Sequence, residues 1–172
     1  MLKRLALLRH AKSSWDDPGL DDFNRPLNER GWKAARRIGR ELATRGLNFD
    51  VVLSSTAART RETIDGVQEN YDFGAQIALE PQLYGASEAA LLEIVRGLDE
   101  SVKAPLIVGH NPGLEQLVAG LTRNDRRGLR QRVAGKYPTA ALAIVELPAS
   151  RWAEVERATG EVVELILPGE LD

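Results

Sequence analysis

The chain has no cysteine, one methionine and only two histidines in 172 residues. Without thiols there is no disulfide, no thiolate-ligated metal centre and no cysteine nucleophile. The two imidazoles lack His-x-His or His-x-x-x-His spacing, and Arg9 beside the first would repel a cation, so no metal site is expected. Long apolar runs are missing as well. Lys3-Arg4 followed by four apolar residues imitates a secretory signal, but Arg9, His10 and Lys12 end the run too early for that or for a membrane span. The net charge of −2 gives no global reason for a nucleic-acid or membrane partner. Neither a Gly-x-x-x-x-Gly-Lys loop nor a strand-associated Gly-x-Gly-x-x-Gly occurs, so no cofactor is expected. The expectation is a soluble, cytoplasmic protein forming a single domain over residues 1–172; oligomeric state is not legible.

What is present is alternation. Short apolar runs at residues 5–8, 51–53 and 106–108 are separated by helical patterns, which predicts an α/β fold: a mostly parallel central sheet flanked by helices in three layers. Further strands are expected at 140–147 and 162–167. Asn28 is placed to cap a helix over Glu29–Arg45, which Gly46 would end, with Trp32, Ala35, Ile38 and Leu42 on its apolar face. Arg30, Lys33, Arg36, Arg37 and Arg40 cover the other side and read as a solvated face. More helices are expected at 56–69, at 88–98 behind a Ser87 cap, and from about 114. Residues 14–26 and 122–138 read as loops.

Each histidine directly follows an apolar, strand-like run, as Leu8-Arg9-His10 and as Val108-Gly109-His110. The carboxyl ends of parallel strands share one edge of a sheet, where ligands bind, so both imidazoles are expected at one site. Arg59 lies in the first turn of the helix after the second strand, where backbone N–H groups favour an anion and a guanidinium can fork two phosphate oxygens. Two imidazoles and two guanidiniums suit phosphoryl transfer, whose transition state spreads negative charge over equatorial oxygens. Arg9, Arg59 and a protonated His110 would supply positive charge, while neutral His10 presents a lone pair to phosphorus.

These residues resemble the histidine phosphatase superfamily, the phosphoglycerate mutase-like proteins, and within it the short SixA-like phosphohistidine phosphatases. Arg9-His10-Ala11 is similar to the family's Arg-His-Gly, Ser55 to Thr63 resembles its Ser-x-x-x-Arg-x-x-x-Thr segment, and Gly109-His110 its second histidine. Asn111-Pro112 is similar to the SixA-like form, and Arg25-Pro26-Leu27 with Gly31 resembles the family's Arg-Pro-Leu…Gly entry to the first helix. The resemblance implies a phosphoglycerate mutase-like fold and a metal-independent phosphatase with a covalent phosphohistidine on His10. Its catalytic residues would be Arg9, His10, Arg59 and His110, with Lys12, Ser13 and Asp16 near the substrate. The acid that larger members carry after Leu79-Glu80-Pro81-Gln82-Leu83 is missing. Glu80 is a candidate general acid, and Asp16 or His110 could take that role.

A weak acid arrangement and the absence of pocket-walling insertions favour protein phosphohistidine as the substrate. A small phosphorylated metabolite, polyphosphate, a mutase reaction and a non-catalytic phosphate-binding module are the alternatives. The run of Arg123, Arg126, Arg127, Arg130, Arg132 and Lys136 against Asp125 reads as solvated surface, or else as the approach for an acidic partner.

Overall fold

Alternation along the first apolar run decides the layering. In the computed structural model, which describes residues 2–171, strand β1 (Lys3–Arg9) sends Leu5 and Leu7 into one apolar cluster and Ala6 and Leu8 into another. Successive side chains on a strand leave opposite faces, so a strand apolar at every position must be covered on both. Helices α1 (Glu29–Arg45) and α2 (Ala58–Gln68) cover the Ala6 and Leu8 face with Ala35, Ile38, Leu42, Ile64 and Val67. Helices α3 (Glu88–Arg96), α4 (Gly113–Leu121) and α5 (Leu129–Gly135) cover the other.

The remaining strands are β2 (Val51–Ser54), β3 (Gln76–Leu79), β4 (Pro105–Gly109), β5 (Thr122–Asn124), β6 (Leu142–Leu147) and β7 (Gly160–Ile166). They form one sheet in the order β3-β2-β4-β1-β6-β7-β5. Every pairing is parallel except the two made by β6, which runs against both β1 and β7. The expected mostly parallel α/β architecture is therefore the observed one.

Local chemistry sets the ends of α1. The Asn28 side chain accepts from the Gly31 amide at 2.8 Å, and Gly46 leaves the helix in the left-handed region at φ 64°. Ser87 caps α3 by accepting from the Ala90 amide at 3.1 Å. Among the described residues no helix is long and apolar enough to cross a membrane.

The segment expected as a loop over 122–138 is a correction: it contains β5 and α5. A seven-residue helix whose sole buried residue is Val133 leaves no apolar period to read. Two members of this basic run, Arg126 and Arg127, lie away from the histidines. Arg126 shares a surface cavity with Leu2 at the opposite end of β1 from His10, and Arg126 and Arg127 both ion-pair Glu161. Arg132 pairs with Glu170, and Arg130 donates to the Thr122 and Ala119 carbonyls.

Candidate active site

Strands β1 and β4 pair in parallel with Arg9 opposite Gly109, so His10 and His110 are the next residues on neighbouring strands. Their ring centroids lie 5.3 Å apart with the planes at 52°. The His10 amide donates to the Gly109 carbonyl at 3.0 Å, which carries the ladder one residue beyond β1.

The His10 tautomer follows from its surroundings. Its Nδ1 lies 2.7 Å from the Ala11 carbonyl oxygen, which can only accept, so Nδ1 carries the proton and Nε2 holds the lone pair. Burial pushes the His10 pKa down to about 3, and His110, Arg59 and Arg9 act in the same direction. At neutral pH the ring is thus uncharged, with its lone pair on Nε2.

His110 differs from the expectation of a protonated ring. Burial lowers its pKa to about 4, with Arg59 next in the same direction. Its Nε2 lies 2.8 Å from the Ser55 hydroxyl, while its buried Nδ1 has no hydrogen-bond partner among the described residues. Desolvation by burial is the main cause; Arg59 and Arg9 add to it, and the Asp22 carboxylate opposes it.

The cavity at these strand ends holds about 300 Å³ and is lined by Arg9, His10, Lys12, Ser13, Arg59 and His110, with Trp15, Arg25, Asn111 and Thr139. Among the described residues no carboxylate lines it. The buried Nε atoms of Arg9 and Arg59 have no hydrogen-bond partner among the described residues. Arg9 donates through Nη1 to the Tyr137 carbonyl at 3.1 Å, and Asn111 donates to the same oxygen at 2.9 Å. Burial lowers the Arg9 pKa, and Arg59 adds to the effect. A pocket so lined attracts and fits an anion.

Arg59 is the second residue of α2 and 6% exposed. The helix is held against the segment that carries His10 by Thr63, whose hydroxyl accepts from the Ala11 amide at 2.9 Å and donates to the Arg59 carbonyl at 2.6 Å. Backbone packing performs the same task on the other side. The Asn28 amide donates to the Lys12 carbonyl at 3.0 Å, and a Cβ on Gly31 would lie 2.1 Å from that oxygen. Only glycine lets α1 approach the loop after His10 so closely.

Three contributors were given no site role by the sequence reading, although Arg25 stands in its Arg-Pro-Leu motif. Asp22 accepts from Arg59 Nη2 at 3.0 Å through Oδ2, from Arg25 Nε and Nη2 through Oδ1, and from the Tyr84 hydroxyl at 2.6 Å. The Tyr84 hydroxyl, then the Arg59 and Arg25 guanidiniums, hold its carboxyl well below the usual carboxylate range. Arg25, 7% exposed, also donates to the Ser13 hydroxyl at 2.7 Å and stacks on Trp15 at 3.5 Å. The Tyr84 ring packs edge-on to His110 at 5.4 Å.

Of the other expected residues, Lys12 is exposed on the cavity wall and Ser13 is buried beneath it. Asp16 and Glu80 are not among the lining residues. The Asp16 amide bonds to the Ser14 hydroxyl, and Glu80 precedes a 3-10 turn with its amide on the Ser54 carbonyl. Among the described residues no group of three or more His, Asp or Glu side chains is arranged to hold a metal ion.

Comparison with known proteins agrees with this layout. Residues 5–86 match the histidine phosphatase superfamily (branch 1). An uncharacterized protein of Mycobacterium tuberculosis is 33% identical, the match covering 94% of this chain and 99% of that protein. A candidate phosphohistidine phosphatase SixA from Agrobacterium tumefaciens has a TM-score of 0.81 at 32% identity, covering 97% of this chain and 99% of that one. A candidate SixA from Nakamurella multipartitia has a TM-score of 0.82 at 26% identity, covering 98% and 97%. By motif, strand-end geometry and similarity over its length, the chain belongs to the histidine phosphatase superfamily.

Proposed function

We propose that this chain is a phosphohistidine phosphatase that works through a covalent intermediate on His10. The observation that carries the reading is the bond from His10 Nδ1–H to the Ala11 carbonyl, which leaves Nε2 unprotonated at the wall of a cationic cavity. In the first step the Nε2 lone pair attacks phosphorus; the Nε2–P bond forms, the bond from phosphorus to the leaving group breaks, and the leaving group departs with that electron pair and a proton taken from solvent by way of His110. In the second step water attacks phosphorus, the Nε2–P bond breaks, and inorganic phosphate leaves with the His10 ring neutral again. Arg9 and Arg59 stabilise the charge on the equatorial oxygens in both steps. His110 is neutral before substrate binds; a bound phosphoryl dianion offsets the two guanidiniums and raises its affinity for a proton beside the reacting group.

The leaving group decides the substrate class. An alkoxide needs a strong proton donor, and no carboxylate lines the cavity among the described residues. The imidazole of phosphohistidine departs from an activated N–P bond and demands less. The likeness to SixA-type proteins at 32% and 26% identity supports the same choice.

The test is to incubate the chain, with chelator present, with phosphohistidine protein, sugar phosphates, polyphosphate and an aryl phosphate. Acid-labile phosphate trapped on His10 and fastest release from phosphohistidine are expected, with both lost in His10→Ala. Near-normal turnover by His10→Ala ends the covalent mechanism, and a clear preference for a metabolite ester ends the protein-substrate reading.

A further inference from the structure

A second cavity of about 290 Å³ adjoins the first, sharing Lys12 and Thr139 with it. Its floor is α1, which contributes Arg30, Lys33 and Arg37, and its far wall is the turn at Pro168 and Gly169. Positions 30, 33 and 37 fall on one helix face spanning about 10 Å. None of these three cations, nor Lys12, has a carboxylate within 4.0 Å among the described residues.

Glu29 in the first turn of α1 makes no ion pair within 4.0 Å among the described residues, and four other acids near the helix are engaged elsewhere. Glu69 takes Arg36, Glu41 and Glu164 take Arg45, and Glu170 takes Arg132. Four like charges are thus left facing one concavity, at a cost in mutual repulsion that an anionic ligand would relieve. From these contacts we infer that the cavity is a substrate subsite for acidic side chains flanking the phosphorylated residue.

Shape and position favour that occupant. The concavity has room for one or two carboxylate side chains, whereas a nucleic-acid backbone or a lipid surface calls for a longer or flatter array. It shares Lys12 and Thr139 with the cavity that His10 lines, so one molecule can place its phosphoryl group in the first and an acidic side chain in the second. This inference rests on the protein-phosphohistidine reading of the catalytic cavity.

The experiment uses two phosphohistidine peptides that differ only in Asp and Glu flanks against Asn and Gln flanks. The enzymes are the wild type, the triple variant Arg30→Gln/Lys33→Gln/Arg37→Gln, and Arg36→Gln as a control on the same helix. In the wild type, KM for the acidic peptide is expected to be about 10-fold lower than for the neutral one, and to rise with salt. The triple variant should erase that difference at unchanged kcat and unchanged aryl phosphate turnover, and Arg36→Gln should not. Equal KM values for the two peptides in the wild type, or an intact difference in the triple variant, overturn the subsite.

If neither peptide is turned over while the aryl phosphate is, the proposed function has failed, and the subsite is judged by binding alone. An unphosphorylated acidic peptide should then bind the wild type more tightly than the triple variant by fluorescence anisotropy. No such difference, or tighter charge-dependent binding of a DNA duplex or of phosphatidylserine vesicles, overturns it.

Discussion

Burying two neutral imidazoles makes the fold sensitive to mild acid, and the size of the effect follows from their pKa values. In the unfolded chain each histidine titrates near its ordinary value of about 6.5. In the folded chain His10 and His110 are pushed down to about 3 and about 4. The folded pKa is the lower one, so stability is complete above about pH 6.5 and falls as the unfolded state alone takes up protons. Between pH 8 and pH 5 each histidine should cost about 2 kcal/mol, or about 4 kcal/mol together. Asp22, also depressed, contributes its loss only below about pH 4, where unfolded carboxylates protonate. Urea denaturation at pH 8, 7, 6 and 5 measures the slope, and His10→Gln should lose about 2 kcal/mol over the range instead of about 4. With two histidines in the chain, imidazole nitrogen NMR is an independent check, and neither ring should titrate between pH 8 and 5. A wild-type loss below about 1 kcal/mol, or an identical pH slope in His10→Gln, refutes the reasoning.

Other expectations concern single residues. Arg59→Ala should lower kcat by about 10²- to 10³-fold in steady-state assays with an aryl phosphate, through lost stabilisation of the equatorial oxygens. Glu80→Gln should leave kcat within about 2-fold, since its carboxylate does not line the cavity; a loss beyond about 10-fold would return it to the list of proton donors. Gly31→Ala should destabilise by about 2 kcal/mol in urea, because the new Cβ meets the Lys12 carbonyl and must push α1 off the loop after His10.

How much of this was legible in the sequence depends on whether a residue's role is set by its neighbours in the chain. The strands bearing His10 and His110 announce themselves by apolar runs, and parallel pairing then brings the strand ends together. Helix α1 was legible to the residue because Asn28 and Gly46 mark both ends. Strand β3 was not, since Gln76–Leu79 is a four-residue edge strand with no fully buried position. Asp22 was hidden for another reason: its partners Arg59 and Tyr84 lie 37 and 62 positions away, and the 3-10 turn at Asp22–Asn24 has no periodicity. The expected charge on His110 failed because desolvation is a property of the packed site, which a motif does not display.

The pairing of Arg9 with Gly109 has one more consequence. Two equivalent residues on adjacent strands are held apart by the peptide ladder, about 4.8 Å from chain to chain, and the imidazole spacing of 5.3 Å is close to that repeat. The spacing of the two imidazoles is therefore set by backbone. Core side chains can drift without altering it, and a lineage seeking a new substrate is left to remodel what borders the pocket: the turn at Asp22, the cationic wall of α1 and the segment around Thr139.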